Sequence, residues 1–209
     1  MIGRADYHNV SGTRCPVDFV EIPSIMMEHF LAAPEVLDLF ATHYQTQAPL
    51  PKGLLEAHQA SRSTFQAVDL HSRLTLSMLD QLYHSGIVGD SGFSSTKSLN
   101  DLESAIGIVP PVPGTAWQTG FGHLNSYGAG YYSYVFGRCV TEQIWDKVFK
   151  SAPTSREAGE RWREHVLKWG GSRDPWKCLG GLLEDERLMK GDEEAMKIVG
   201  DWVTSTSRA

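Results

Sequence analysis

Apolar side chains recur at helical spacing along most of this chain, and no segment has the apolar–polar alternation of a half-buried strand. One apolar face is formed by five residues that lie three or four positions apart: Phe19, Ile22, Ile25, Met26 and Phe30. We expect the helix that carries this face to begin near Asp18, because an acidic side chain interacts favourably with the dipole at a helix N-terminus. The pattern therefore predicts an all-α fold.

Further helices follow between glycine and proline breaks. We predict them over residues 34–44, 54–83, 98–107, 131–150, 155–169 and 192–204. Ser98 is the expected N-cap of the third of these, since its hydroxyl can accept from the amides of the first turn. Residues 117–130 are expected to be irregular, and the glycine pair Gly170–Gly171 is expected to end the helix that precedes it.

The composition is that of an ordinary globular protein. The chain has 209 residues, of which 41% are hydrophobic and 21% charged, which suits one domain or a large piece of one. The net charge of −6 argues against a nucleic-acid-binding surface, which needs clustered Lys and Arg. No apolar run reaches the length of a membrane span, and the first ten residues lack the features of a signal or transit peptide.

Glu21 is the first candidate for chemistry. It lies beside the apolar stripe and seven residues before Glu28, so the two carboxylates share about the same helix face. A carboxylate is a suitable zinc ligand, but one carboxylate makes no metal site. From the residues alone, an acid in the first turns of a helix is more often a solvated edge residue.

A second candidate is the segment 120–134, which mixes glycine, tyrosine and one histidine. Glycine lets a backbone approach a ligand closely, while tyrosine hydroxyls and an imidazole can donate to a developing oxyanion. Tyr131 and Tyr134 are three residues apart and share a face if a helix has begun there, whereas Tyr132 should point elsewhere. The alternative is a loop that covers apolar surface with aromatic rings, and the residues alone leave both interpretations open.

The remaining reactive side chains form no motif that we recognise. Seven further histidines show no HxxxH pairing and are expected to be surface or core residues: His8, His29, His43, His58, His71, His84 and His165. The charges of residues 161–174 fit a solvated helix face. Three cysteines, Cys15, Cys139 and Cys178, form no CxxC pair, which argues against a disulfide framework or a structural zinc site.

Two blocks, SGTRCPVDFVEIPSIMMEHF (11–30) and HLNSYGAGYYSY (123–134), resemble the thimet-oligopeptidase-type zinc metallopeptidases, and the first looks most like the mitochondrial intermediate peptidase branch. Three more blocks in the right order strengthen the resemblance: ATHYQTQAPLP (41–51), PGTAWQTGFGHL (113–124) and AGERWREHVLKWGGSRDP (158–175). The resemblance covers nearly the whole chain. It implies that residues 1–209 are the C-terminal part of the catalytic domain, within one lobe of an almost all-α, two-lobed body with a deep channel.

The resemblance also implies roles for single residues. In this family one zinc ion is held by the two histidines of HExxH and by a glutamate on the next helix, and the glutamate's role falls on Glu21. The glycine- and tyrosine-rich loop of the family closes over the peptide substrate and stabilises the tetrahedral intermediate. Those catalytic roles fall on His123, Tyr131 and Tyr134. Three further positions are implied to bind substrate: Tyr127, Gly128 and Gly130.

The 209 residues contain no HExxH, which in the family lies shortly before the position of residue 1. We therefore interpret the chain as a piece of a zinc metalloendopeptidase that, by resemblance, removes short N-terminal peptides from imported precursors in the mitochondrial matrix. The alternative is a short protein in its own right, a helical peptide-binding or scaffold module without catalysis. The sequence leaves the oligomeric state open.

Overall fold

The computed structural model describes the backbone of residues 2–206, and their side chains except those of residues 62, 63 and 203–206. Its α-helices are α1 (Val17–Val20), α2 (Ile22–Ala32), α3 (Pro34–Leu37), α4 (Lys52–Thr64), α5 (Gln66–Tyr83), α6 (Ser95–Ile106), α7 (His123–Ser126), α8 (Ser133–Ile144), α9 (Arg156–Trp162), α10 (Pro175–Leu183) and α11 (Glu193–Thr206). Across residues 2–206 no β-strand occurs, and one isolated antiparallel bridge joins Thr42 to Pro49. The prediction of an all-α fold is confirmed.

The chain divides into two compact units. One unit contains the residues up to Thr64 and those from Phe136 onward, and the other is the continuous segment Phe65–Val135. The predicted helix over 54–83 is accordingly wrong as a single element. It is two helices, α4 and α5, separated at Phe65, whose φ of −116° and ψ of 14° leave the helical region.

The first unit has a large apolar core built on the face predicted for α2. Ile22 and Met26 are 1% and 0% exposed and pack in one cluster with Val140, Ile144 and Phe149. Glu21 stands at the corner where α1 ends and α2 begins. The burial of its neighbour Ile22 therefore fixes the backbone that carries the Glu21 side chain.

The second unit is organised by α5 and α6. Leu79 on α5 and Leu99 on α6 are 0% and 1% exposed, and the Tyr83 hydroxyl donates to the carbonyl oxygen of Ser95 at 2.6 Å. The N-cap of α6 is Ser94, whose hydroxyl accepts from the amide of Lys97. The expected cap at Ser98 was wrong by one helical turn, because four serines and threonines precede the first apolar residue of this helix.

Other helices also differ from their expected form. The predicted helix 34–44 ends at Leu37, and the helix expected from Asp18 is divided at Glu21 into α1 and α2. The predicted helix 131–150 begins only at Ser133 and continues through a π-helical turn, Trp145–Phe149. The predicted helix 155–169 is capped by Ser155 and likewise passes into a π-helical turn, Arg163–Leu167. Both helices exist, and the wider turns shift the faces that their C-terminal ends present.

Helix α10 was not predicted from the sequence. Its start signal is local: Asp174 is the N-cap, its carboxylate accepts from the amides of Trp176 and Lys177, and Pro175 occupies the first turn. The helix contributes Leu179 and Leu182, 2% and 0% exposed, to the core of the first unit.

The glycine pair Gly170–Gly171 does more than end a helix. Gly171 donates its amide to the carbonyl of Val10 at 2.7 Å, and a Cβ on Gly170 would lie 2.5 Å from that same oxygen. Because neither glycine has a Cβ, the segment 10–15 can lie directly against the backbone of Gly170 and Gly171. This contact positions the residues that lead into α1. Within the described part of the chain, no helix is long and apolar enough to cross a membrane.

Candidate active site

The carboxylate of Glu21 is half-buried and held by a neighbour one helical turn later. The hydroxyl of Ser24 donates to Glu21 Oε2 at 2.7 Å and lies 2.8 Å from the Glu21 carbonyl oxygen. The backbone at Glu21 has φ −89° and ψ −6°, and the residue is both the C-cap of α1 and the N-cap of α2. One carboxylate oxygen is thus oriented, as the ligands of metal ions commonly are by a second hydrogen bond.

Glu28 does not join Glu21 in a site. It lies seven residues further along α2 and is exposed to solvent. Among the residues that the structure describes, no group of three or more His, Cys, Asp or Glu side chains is arranged to hold a metal ion. Glu21 is therefore a single candidate ligand, and the donor set of the described residues does not by itself make a zinc site.

His123, Tyr131 and Tyr134 do come together, all within the second unit. The Nε2 atom of His123 lies 3.2 Å from the hydroxyl oxygen of Tyr134. The ring centroids of His123 and Tyr131 are 5.4 Å apart, and those of Tyr131 and Tyr134 are 5.2 Å apart. The predicted shared face of the two tyrosines is realised even though α8 begins only at Ser133.

Phe121 supports this cluster from the N-terminal side. Its ring stacks on His123 at a centroid distance of 5.5 Å and meets Tyr131 edge-on at 5.2 Å. The imidazole is consequently held between a phenyl ring and two phenols, while His123, Tyr131 and Tyr134 each remain partly accessible. An accessible imidazole and two phenols can donate hydrogen bonds to a ligand oxygen.

The three implied substrate-binding positions lie next to this cluster in the chain. Tyr127 is 45% exposed, with its ring 5.6 Å from His123. Gly128 is exposed and Gly130 is buried, and the amide of Gly130 donates to the carbonyl of Tyr127 at 2.9 Å. The segment therefore forms a tight turn between the two tyrosines Tyr127 and Tyr131.

Gly128 meets a specific steric requirement. A Cβ at this position would lie 2.3 Å from Nε2 and 2.9 Å from Cδ2 of His84. His84 cannot simply swing aside, because its Nδ1 lies 2.8 Å from the carbonyl oxygen and 3.1 Å from Oδ1 of Asp80. Only glycine lets the turn approach the imidazole this closely.

Asp80 and His84 were not recognised from the sequence as parts of this region. His84 was expected to be an ordinary surface or core histidine, and Asp80 was not singled out. The signal that was present is their separation of four residues on a helix, which places both side chains on one face. Their contacts with residues 128–131 bridge about fifty positions, a separation that no local pattern reports.

Comparison of the sequence with known protein families shows where the chain belongs. The sequence model of Peptidase family M3 matches residues 1–198, nearly the whole chain. The chain belongs to peptidase family M3. The resemblance first inferred from the blocks 11–30 and 123–134 is thereby confirmed.

Similar proteins include mitochondrial intermediate peptidases of fungi. The chain is 48% identical over 222 residues to mitochondrial intermediate peptidase 1 of Cryptococcus neoformans var. neoformans serotype D (strain B-3501A). It is 48% identical over 202 residues to mitochondrial intermediate peptidase of Malassezia globosa, and 49% identical over 207 residues to that of Botryotinia fuckeliana. Each comparison covers 97% of this chain, which spans between 25% and 29% of the length of these relatives.

Proposed function

We propose that this chain is the C-terminal part of the catalytic domain of a zinc metalloendopeptidase. In this proposal Glu21 is one zinc ligand, and His123, Tyr131 and Tyr134 act on the scissile peptide. The observation that carries it is the contact between His123 Nε2 and the Tyr134 hydroxyl, 3.2 Å apart, beside the ring of Tyr131. Membership of a peptidase family supports it, since a partly accessible tyrosine hydroxyl in contact with an imidazole suits an acyl-transfer site.

The chemistry of the chain's own residues follows from their donors. When a peptide carbonyl is attacked, negative charge develops on its oxygen, and the Tyr134 hydroxyl can donate to it while the phenol oxygen accepts from the Nε2–H of His123. Because both groups are already held by neighbouring rings, little reorganisation is needed as the charge forms. A bound zinc ion would supply Lewis acidity and a more acidic water, and Glu21, oriented by Ser24, would be one of its ligands.

Substrate binding is assigned to the turn between the tyrosines. Gly128 is exposed and has no side chain to keep an extended peptide away from the backbone, and the exposed ring of Tyr127 offers a flat surface beside it. Gly130 is buried and would contribute by closing the turn through its bond to the Tyr127 carbonyl. The substrates proposed are precursor proteins imported into the mitochondrial matrix, from which short N-terminal peptides are removed. This part of the proposal rests on the family resemblance of the sequence blocks, and the fungal relatives support it only as far as their name, mitochondrial intermediate peptidase.

A second candidate is a helical module that binds peptides without cleaving them. The favouring observation is that Glu21 stands alone as a metal ligand among the described residues. The two candidates make different predictions for the longest translated product that contains these 209 residues, called here the full-length product. A peptidase hydrolyses a peptide substrate and holds zinc, whereas a binding module does neither.

The experiment that tests the proposal compares Glu21→Gln with Glu28→Gln in the full-length product. Glu28 is the matched control, because it lies on the same helix and is exposed. We expect Glu21→Gln to lose most of the bound zinc after dialysis and most of its turnover, and Glu28→Gln to behave as the unaltered protein does. Full zinc content and full turnover in Glu21→Gln would contradict the ligand assignment. Peptide binding without any hydrolysis by the unaltered protein would favour the binding module.

A further inference from the structure

The C-terminal end of α5 holds the turn that precedes Tyr131. Asp80 on this helix is 1% exposed, although it carries an ionisable group. Its Oδ1 accepts the amide of Ala129 at 3.0 Å, and its Oδ2 accepts the amide of Tyr131 at 2.9 Å. Both carboxylate oxygens are thus occupied by the backbone of a single short segment.

The two backbone hydrogen bonds of the Asp80 carboxylate come from outside its own helix. A buried carboxylate is strongly destabilising unless hydrogen-bond donors replace the water it has lost. The backbone donors for Asp80 come from residues 49 and 51 positions away, so α5 would fold equally well with an apolar residue at this position. The residue type fits the loop and not the helix, since only an acceptor of two hydrogen bonds satisfies both amides.

The loop residue that bonds to Asp80, Ala129, has an energetically unfavourable backbone conformation. Ala129 has a φ of +58°, in the left-handed region that a residue with a Cβ rarely adopts. Such a conformation persists only where the surroundings impose it. Here the surroundings are Asp80, which binds the Ala129 amide, and Gln81, whose side-chain Nε2 donates to the Ala129 carbonyl at 2.8 Å. Both backbone polar groups of Ala129 are thereby fixed to α5.

The side chain of His84 also contacts the turn that Asp80 binds. Its Nδ1 lies 2.8 Å from the carbonyl oxygen and 3.1 Å from Oδ1 of Asp80, and 3.3 Å from the amide nitrogen of Ala129. The opposite edge of the ring lies against Gly128. The imidazole therefore packs between Asp80, which orients it, and Gly128 in the turn.

We propose that Asp80 is the positioning residue for the tyrosine-bearing segment. By binding the amides of Ala129 and Tyr131, it fixes the backbone from which the Tyr131 ring projects, and with it the packing of Tyr131 against His123 and Tyr134. Asp80 acts through these residues and does not itself touch the peptide. The inference rests on the proposed function, because a rigidly held segment speeds the reaction only if the cluster binds the transition state.

The test uses Asp80→Asn in the full-length product, with Asp69→Asn as the matched control. Asp69 is on the same helix, is exposed, and pairs with Arg73 one turn away. Asn keeps the shape of Asp but offers one acceptor and one donor, so one of the two loop amides loses its partner. Hydrogen exchange should show faster exchange across residues 127–131 in Asp80→Asn only, and kcat should fall by about 10-fold to 100-fold at unchanged zinc content.

A double-mutant cycle with Tyr134→Phe separates positioning from general destabilisation. If Asp80 acts through the cluster, Asp80→Asn should lower kcat by less than about threefold once the Tyr134 hydroxyl is gone, because the two changes remove one effect. The proposal would be overturned if the two substitutions lowered kcat independently and the loss in Asp80→Asn followed a fall in its melting temperature. It would also be overturned if Asp80→Asn had a kcat within about twofold of that of the unaltered protein and unchanged hydrogen exchange.

Two further outcomes remain decisive. If Asp80→Asn does not fold, Gln81→Ala replaces it, since it removes the other bond from α5 to Ala129 and its side chain is exposed. Faster exchange across 127–131 together with lower kcat in Gln81→Ala supports the proposal, and no change in either overturns it. If Tyr134→Phe alone leaves kcat unchanged, the catalytic assignment of the cluster fails, while hydrogen exchange still reports whether Asp80 holds the segment.

Discussion

The hydroxyl of Ser24 donates to Oε2 of Glu21 across a single helical turn, at 2.7 Å. Glu21 occupies the corner between α1 and α2, where its backbone is fixed by the buried residue Ile22. The Ser24 side chain is exposed, so the hydrogen bond contributes little to stability. Its consequence is the orientation of the carboxylate, and in the proposed zinc site Oε1 would be the ligand atom.

Ser24→Ala should weaken zinc binding by the full-length product. The methyl group keeps the helix but removes the donor that orients Glu21, and the loss of such a partner typically costs about 10-fold to 100-fold in metal affinity. Competition with a chelator measures the change. Ser72→Ala is the control, because its hydroxyl bonds to the backbone of its own helix. Equal zinc affinities for Ser24→Ala and the unaltered protein would show that the bond does not serve the metal.

Gly128→Ala should lower turnover, because the added Cβ would overlap the His84 imidazole, 2.3 Å from Nε2. Since Asp80 holds that ring, the turn must move and the tyrosines with it. A displacement of this kind can cost about 10-fold to 100-fold in kcat. Steady-state kinetics on a peptide substrate measures the loss.

Gly120→Ala is the control for that substitution, since no heavy atom beyond the chain neighbours lies within 4 Å of its Cβ position. It should leave kcat unchanged. Removing the obstacle provides a second check: the double variant Gly128→Ala with His84→Ala should recover part of the turnover lost in Gly128→Ala. Equal losses in the Gly120→Ala and Gly128→Ala variants would refute the steric explanation.

The sequence was sufficient to locate the catalytic candidates and insufficient to show what holds them. Tyr131 and Tyr134 are close in the chain, and their composition with glycine and histidine is a local signal. Asp80 has the same chemistry as any exposed acid on an amphipathic helix. Its role depends on residues about fifty positions away, and this kind of information appears only when α5 and the turn are placed together.

Cys178 should react with thiol reagents far more slowly in the folded chain than in the urea-unfolded chain. The residue is 0% exposed, and burial raises the pKa of its thiol from 9.0 to about 11. At about pH 8 this shift alone reduces the reactive thiolate about 100-fold. Mass spectrometry of the labelled Cys178 peptide measures the rate. Rapid labelling of Cys178 in the absence of urea would contradict the packing of α10 into the core.

The same thiol gives a pH dependence with a defined sign. Its pKa is higher in the folded chain than the ordinary value of 9.0, so the contribution of the neutral thiol to stability is complete below pH 9. That contribution is lost as the pH rises toward about 11. Urea unfolding should therefore show a smaller loss of stability over this interval for Cys178→Ala than for the unaltered chain. Identical pH profiles for the two proteins would contradict a buried, neutral Cys178.

Of two errors in the predicted helices, one had a signal in the sequence and the other had none. Asp174 followed by Pro175 is a helix start, because the aspartate caps the first amides and the proline has no N–H that needs a partner, yet no helix was predicted there. Phe65 carries no helix-breaking side chain, and the division between α4 and α5 at this residue has no local signal. It coincides with the boundary between the two compact units.

The catalytic assignment of the cluster is tested most directly by kcat and KM for Tyr134→Phe in the full-length product with zinc bound. A hydroxyl that donates only to the developing oxyanion acts in the transition state, so kcat and kcat/KM should fall together. The expected loss is about 10²–10³-fold, or roughly 3–4 kcal/mol. Tyr132→Phe, which alters the neighbouring phenol, should retain its turnover. A Tyr134→Phe variant with unchanged kcat, and with a melting temperature lowered by the loss of one hydrogen bond, would contradict the assignment.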